Sequence, residues 1–381
     1  MIGLFCSTPA RASDSSLPLL DPNRTIAILG DSLATGGGSD PALKPDFSSL
    51  WNIMSGKDSL SQSATKSPTS PTQEALKVER LWPGPREFLS PIDWAVKHLW
   101  QGFARLLLDT EENSWGFITS QTLLTRQNKD HSGTLLIAAE NGAKAASGIR
   151  QMDRLLDRLG NRLPATTFVL FTGNDLCAPM QPLMTTPSAF EDNLKDLFSY
   201  TLRNAKPLGA SSEVVLLSYL GVLQLITSPA LLDKKITIPA SANFPEETLT
   251  CKQFRDTNRK AAPKSTSSQE TDLPPELYYL SHVLSFNPAL YCPSLFIEPL
   301  QNEQAVTNVA NRIRAFREAE ANAVTYANEL KKKSYPNLPF SFRHIRETAN
   351  VTFEPDDIAN DCFHLSRQGQ QKIADAVLKQ F

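Results

Sequence analysis

The chain has no apolar run long enough to cross a membrane, no excess of charge of either sign and no repeated segment. Thirty-eight Lys and Arg stand against 40 Asp and Glu, a formal net charge of −2 over 381 residues, and no basic stripe interleaves with aromatics. Nucleic acid is therefore excluded as a partner. Cysteine is scarce, five in all, and neither a C-x-x-C pair nor a His/Cys cluster has zinc spacing. No structural metal is expected. What is present is an ordinary globular composition, 41% hydrophobic and ample for a core of this size.

Four apolar runs read as buried strands: Thr25–Leu29, Leu135–Ala139, Thr167–Phe171 and Val214–Ser218, with a short fifth near Phe340–Ile345. Helical patterns lie between them. Ile149, Met152, Leu155, Leu156 and Leu159 share one helix face, and Arg150, Arg154 and Arg158 form a row on the other that reads as solvated. A long helix is expected over Asn302–Lys333, ending in three lysines that suit the negative end of its dipole. Ser366 reads as the cap of a final helix burying Ile373 and Val377. Strands alternating with helices predict a parallel sheet covered on both faces.

Chemistry gathers where the strands end. The first runs into Gly30-Asp31-Ser32-Leu33, which sets Ser32 on a sharp turn at the carboxyl edge of the sheet. Four specified residues match by chance in about one chain in a hundred of this size, so companions must decide. Gly142 follows the second strand, in Glu140-Asn141-Gly142-Ala143-Lys144-Ala145, and Asn174 and Asp175 follow the third, in Thr172-Gly173-Asn174-Asp175-Leu176-Cys177. Asp361-Cys362-Phe363-His364 lies near the other end of the chain. A serine hydroxyl is a poor nucleophile until a base takes its proton. His364 can do so, being mostly neutral above about pH 6.5, and Asp361 can fix its tautomer. His98, His131, His282 and His344 lack a carboxylate at this spacing ahead of a capped helix and read as structural or surface residues. Asp31 and Asp175 read as ties between loops.

In the order Ser, Gly, Asn, His, these blocks resemble the GDSL/SGNH hydrolases. The resemblance covers the framework of the chain but not its long insertions. The Gly142, Asn174 and Asp361–His364 blocks are most similar to the phospholipase B group, with acyloxyacyl hydrolase second. It implies a flavodoxin-like three-layer α/β/α sandwich with a central parallel sheet, over a single domain from residue 13 to 381. Ser32 would be the nucleophile, His364 the general base and acid, and Asp361 its orienter. The oxyanion donors would be the Ser32 and Gly142 backbone amides and the Asn174 side chain, with no cofactor. Glycine at 142 would keep a Cβ out of the substrate oxygen's path.

The resemblance further implies a serine esterase or lipase acting through an acyl-enzyme, with phospholipid or lysophospholipid acyl esters as first substrates. The partners would be a small-molecule or lipid ester and a transiently contacted membrane surface. A carbohydrate O-acetylesterase or short-chain esterase is the alternative enzyme. A catalytically silent lipid- or glycan-binding protein is the alternative of another class. One departure stands out: Thr172 occupies the position of the family's first glycine in the third block. An α/β-hydrolase is a poorer match, since Gly30-Asp31-Ser32-Leu33-Ala34 lacks the last glycine of G-x-S-x-G.

Insertions are expected at about 36–130 and 223–300. In the first, residues 56–74 read as a polar loop and Ile92–Leu108 as a core-packed helix. In the second, Ala261–Gln269 reads as disordered and Leu277–Leu290 as a candidate lid. Met1–Cys6 and the Ala10-Arg11-Ala12 site read as a shortened export signal over residues 1–12, predicting a secreted or periplasmic protein. That leaves Cys177, Cys251, Cys292 and Cys362, with three connectivities. The expected pairs are Cys251–Cys292, closing the insertion, and Cys177–Cys362, joining the Asn174 loop to the His364 loop. Four buried free thiols in a cytoplasmic protein are the alternative. Oligomeric state stays open.

Overall fold

Parallel strands buried on both faces are written as continuous apolar runs, and such runs form the middle of this fold. A computed structural model of the chain describes residues 20–36, 76–81, 111–127, 132–238, 247–256 and 292–381. Six strands pair in parallel: β1 (Thr25–Gly30), β2 (Lys77–Arg80), β3 (Thr134–Ile137), β4 (Thr166–Leu170), β5 (Ser212–Leu217) and β6 (Phe340–Ile345). Their order is β6-β5-β4-β1-β3-β2. Every residue of β1 is buried, as befits a central strand.

Among the described residues five long helices cover the sheet: α1 (Trp115–Gln127), α2 (Gly148–Leu159), α3 (Pro187–Asn204), α4 (Glu303–Ser334) and α5 (Arg367–Leu378). α2 packs on α3 and α3 on α4, while α1 packs on α5, giving one helical layer on each face. Ile28 and Phe168, in register on β1 and β4, face α1. A Cβ on Gly116 would lie 2.1 Å from Ile28 Cδ1, and Trp115 meets Phe168 edge-on with centroids 5.8 Å apart. Burying side chains of that size contributes about 1.5–3 kcal/mol each. The fold is a three-layer α/β/α sandwich. Leaving β2 aside, the strand order is the flavodoxin-like one. The chain leaves β1 for β3 on one side and then crosses to β4 on the other, which opens a crevice at the carboxyl ends of these strands.

The long helix and the Ser366-capped helix form as expected, and the first also proves to be capped. Asn302 accepts from Gln304 N at 2.9 Å to start α4, and Ser366 accepts from Gly369 N at 3.4 Å to start α5, whose Ile373 and Val377 are fully buried. One strand was not foreseen, and one expectation is corrected in part. β2, Lys-Val-Glu-Arg, is a polar edge strand inside the region read as insertion, and lacks an apolar run to announce it. The arginine row of α2 is solvated only at Arg150, whose side chain is 42% exposed. Arg154 is 8% exposed and donates to Ala138 O at 3.0 Å and to Glu140, and Arg158 grips Glu79 through Nη2 at 2.9 Å. The cause is placement, since this flank of α2 meets the ends of β2 and β3, where both acids sit.

The segment read as the second insertion adds an antiparallel pair, Lys235–Ile238 with Glu247–Thr250, a helical turn, Cys251–Arg255, and another, Pro293–Phe296. The export-signal stretch 1–12, the loop 56–74, Ile92–Leu108, Ala261–Gln269, Leu277–Leu290, His98, His131 and His282 lie outside the described residues. No described helix is long and apolar enough to cross a membrane.

Candidate active site

Gly30 ends β1 at φ +150°, and a Cβ there would lie 2.2 Å from Leu170 O, so only glycine turns the chain at this point. The turn buries Asp31 and leaves Ser32 8% exposed. Asp31 Oδ1 accepts Leu33 N at 3.0 Å, and Oδ2 accepts the Thr172 amide at 2.8 Å and its hydroxyl at 2.5 Å. Burial nevertheless pushes the Asp31 carboxyl above its ordinary range. Thr172, the departure from the family pattern, therefore gives Asp31 a donor that glycine has no means to supply. Its carbonyl in turn accepts the Tyr219 hydroxyl.

The loop before α5 brings the other end of the chain to this turn. His364 Nε2 lies 3.0 Å from Ser32 Oγ, and His364 Nδ1 lies 2.5 Å from Asp361 Oδ2. Asp361 Oδ1 accepts the Phe363 and His364 amides, each at 2.9 Å. Such a fold-back requires Cys362 at φ +60°, a left-handed conformation costing about 1–3 kcal/mol outside glycine. Bonds from Cys362 N to Ala359 O at 3.1 Å and Ala359 N to His364 O at 2.8 Å close the turn. Burial acts to raise the Asp361 carboxyl, but the His364 charge, its hydrogen bond and the two amides outweigh burial and hold it below the ordinary range. A hydroxyl, an imidazole and a carboxylate thus stand in a line along which a proton can leave oxygen as the oxygen attacks.

Asn174 lines the same cleft as Ser32 and His364, whose walls are Leu220, Val222, Leu225, Phe353 and Phe363. Gly142 sits in the turn after β3, which is tied to the Ser32 turn by the Thr35 hydroxyl donating to Asn141 Oδ1 at 2.8 Å. It is tied to the Asn174 turn by Ala145 N donating to Asp175 Oδ2 at 3.0 Å. The need for glycine at 142 is conformational, since φ is +75° and a Cβ would meet nothing of the protein within 4 Å. Burial raises the Asp175 carboxyl to about 6. Asp31 and Asp175 therefore do join loops. The other histidine described, His344 on β6, has a side chain 7% exposed and 3.5 Å from Glu320. Among the described residues no group of three or more His, Cys, Asp or Glu is arranged to hold a metal ion.

The four cysteines are bridged, but the expected pairing is corrected: Cys177 joins Cys292 and Cys251 joins Cys362. Packing explains the exchange. Ser294 Oγ donates to Leu176 O at 2.6 Å and accepts Ala178 N at 3.0 Å, laying Cys292 against Cys177. Cys251 and Cys362 share a small apolar cluster with Ile236, Leu249 and Phe254. Each site loop is thus pinned to the inserted segment rather than to the other loop.

The sequence reading missed the supporting residues. Gln151 holds Gly30, Thr172 holds Asp31, and buried Arg255 donates to Cys362 O. Gln151, Arg154 and Arg158 share one helix flank by spacing, a signal that gains meaning only once β1–β3 lie beneath it.

The family model of GDSL-like lipase/acylhydrolases matches residues 26–377. Among solved structures the chain is similar to the psychrotrophic esterase EstA from Pseudoalteromonas sp., in a structure inhibited by monoethylphosphonate. That likeness has 11% identity and a TM-score of 0.37, over 93% of this chain and 95% of that one. It is also similar to the lipase/acylhydrolase from Enterococcus faecalis, at 11% identity and a TM-score of 0.33 over 94% of each chain. No curated protein matches the chain significantly. The family match spans nearly the whole chain, from β1 to α5: the chain belongs to the GDSL-like lipase/acylhydrolase family, and with it to the carboxylic ester hydrolases.

Proposed function

We propose that the protein hydrolyses acyl esters of lipids, phospholipids or lysophospholipids first, through an acyl-enzyme on Ser32. The observation that carries this reading is the line from Ser32 Oγ to His364 Nε2, 3.0 Å, and from His364 Nδ1 to Asp361 Oδ2, 2.5 Å. Ser32 Oγ attacks the ester carbonyl while His364 Nε2 takes its proton. The oxyanion is met by the Ser32 and Gly142 amides and the Asn174 side chain. His364 returns the proton to the leaving alcohol, and water then repeats the sequence to free the acid. Asp361 keeps its proton-free form throughout and stabilises the imidazolium.

The apolar cleft walls, Leu220, Val222, Leu225, Phe353 and Phe363, support an apolar acyl group. A short-chain ester is the second reading. It is favoured by the small cavity volume of about 20 Å3 beside Ser32, room for little more than a water. A chain-length series of 4-nitrophenyl esters, run beside lysophosphatidylcholine, separates the two. Turnover rising with acyl length and release of fatty acid from the lysolipid are expected; preference for acetyl overturns the lipid reading. Covalent labelling by a fluorophosphonate is expected in the wild type and absent in Ser32→Ala. A folded wild type left unlabelled would point to a silent binding protein.

A further inference from the structure

The segment from Lys234 through the antiparallel pair Lys235–Ile238/Glu247–Thr250 to the turn Cys251–Arg255 touches the Asp361–His364 loop twice, both times at Cys362, and the chain just before that loop once, at Ile358. Cys251 is bonded to Cys362, Lys234 Nζ donates to Ile358 O, and Arg255 Nη2 donates to Cys362 O. Arg255 is the most informative of these. It is 1% exposed, its Cζ lies 4.7 Å from the centre of the Phe296 ring, and its Nη1 donates to Leu225 O. Burying a cation against backbone carbonyls is costly unless a nearby anion answers it. Asp361 is that anion: burial brings the guanidinium down to about 10 and the Asp361 charge works against the fall, so Arg255 stays charged at neutral pH.

The contact acts through one peptide plane. The carbonyl of Cys362 is held by Arg255, and the amide of the same peptide, Phe363 N, donates to Asp361 Oδ1 at 2.9 Å. In a planar trans peptide these groups point in opposite directions. A pull on the oxygen therefore aims the N–H at the carboxylate, and it holds Cys362 in its left-handed turn.

We infer that Arg255 is a positioning residue for the Asp361–His364 pair, fixing the Cys362–Phe363 peptide and setting a positive charge beside the carboxylate. It touches no reacting atom. The inference rests on the proposed roles of Ser32, His364 and Asp361. The other ionisable groups that interact with the pair are Asp31, with His364, and Lys234, with Asp361; Lys234 also answers Asp356 and Asp357.

Arg255→Met and Arg255→Lys are compared with the full-length wild type by ester turnover across the neutral pH range, and by the downfield proton NMR signal of the Asp361–His364 hydrogen bond. Arg255→Met is expected to lower kcat about tenfold with KM within about twofold, and to weaken the downfield signal. Loss of a nearby cation favours the imidazolium, so the pH midpoint should rise by about half a unit. Arg255→Lys should keep the midpoint and recover part of kcat. A folded Arg255→Met with wild-type kcat and midpoint overturns the inference. Where Arg255→Met does not fold, Arg255→Lys decides: reduced kcat at an unchanged midpoint supports the inference, and wild-type kcat overturns it. A wild type that neither turns over esters nor takes a fluorophosphonate overturns the triad assignment instead, so the two failures stay distinct.

Discussion

Gln151 grips Gly30 at both main-chain polar groups: its Oε1 accepts Gly30 N and its Nε2 donates to Gly30 O, each at 2.8 Å, with Gln151 fully buried. The side chain reaches across 121 residues of sequence to the position two before Ser32. It therefore fixes where β1 stops and the turn begins. Gly30 O also accepts Glu140 N at 3.1 Å, so the same clamp sets the start of the Gly142 turn.

Gln151→Ala strips this clamp and takes the side-chain partner from the buried Gly30 N, while Gly30 O keeps Glu140 N. A loss of about 1–3 kcal/mol in stability is expected from urea unfolding, together with a fall in kcat. Unchanged stability and turnover would mean that the turn is held by the sheet alone. Gln151→Glu should be no rescue near neutral pH, because a carboxylate accepts from Gly30 N but has nothing to donate to Gly30 O.

Asp361→Asn tests the orienting role with little change of shape. The amide can meet His364 Nδ1 with its NH2 group and so favour the wrong tautomer, which leaves Nε2 protonated towards Ser32. On the scale of the serine-protease example, kcat should fall roughly 10⁴-fold. KM and the thermal midpoint should change far less. Fluorophosphonate labelling should slow in parallel with kcat, and a fall of less than about tenfold would remove Asp361 from the mechanism.

Much of this was legible in the sequence for a simple reason. A parallel strand buried on both faces needs an unbroken apolar run, so β1, β3, β4 and β5 are visible in isolation. The residues at their ends, Ser32, Gly142 and Asn174, then fall at one edge by topology. β2 was not legible because an edge strand can carry Lys77, Glu79 and Arg80 and draw its pairing from β3 and its charge partner from Arg158 on α2. The disulfide pairing was not legible either. Four cysteines allow three arrangements, and the choice rests on Ser294 packing on Leu176 and on Ile236, Leu249 and Phe254 packing round Cys362.

Asp175 should make stability depend on pH in an unusual direction. Its carboxyl is raised from 3.8 to about 6, chiefly by burial. A raised acid binds its proton more tightly folded than unfolded, so its contribution is fully present below 3.8 and is lost as pH rises through about 6. Asp175→Asn removes that titration while an amide oxygen can still accept Ala145 N. The variant should therefore gain stability relative to wild type across this interval, by up to about 3 kcal/mol at 1.36 kcal/mol per unit. Asp361, held low, has the opposite sign, its contribution being lost as pH falls, but it is common to both proteins and cancels in the difference. A difference between the two proteins that stays flat with pH would show that Asp175 is not raised.

The exchanged disulfide pairing makes a prediction that needs no activity. Non-reducing peptide mapping should give the Cys177 peptide linked to that of Cys292, and the Cys251 peptide linked to that of Cys362. A Cys177–Cys362 link would overturn the arrangement. Each bridge closes a long stretch, 115 and 111 residues in separation, so replacing either pair by alanine should cost about 2–4 kcal/mol. The two losses should differ in their functional echo. Cys177→Ala/Cys292→Ala frees the turn after Asn174, and its effect should fall on stabilisation of the oxyanion, seen as reduced kcat at an unchanged pH midpoint. Cys251→Ala/Cys362→Ala frees the residue between Asp361 and His364, so its kcat loss should come with a shifted pH midpoint and a weaker Asp361–His364 proton signal. Identical profiles in the two double variants would mean that the bridges serve stability alone.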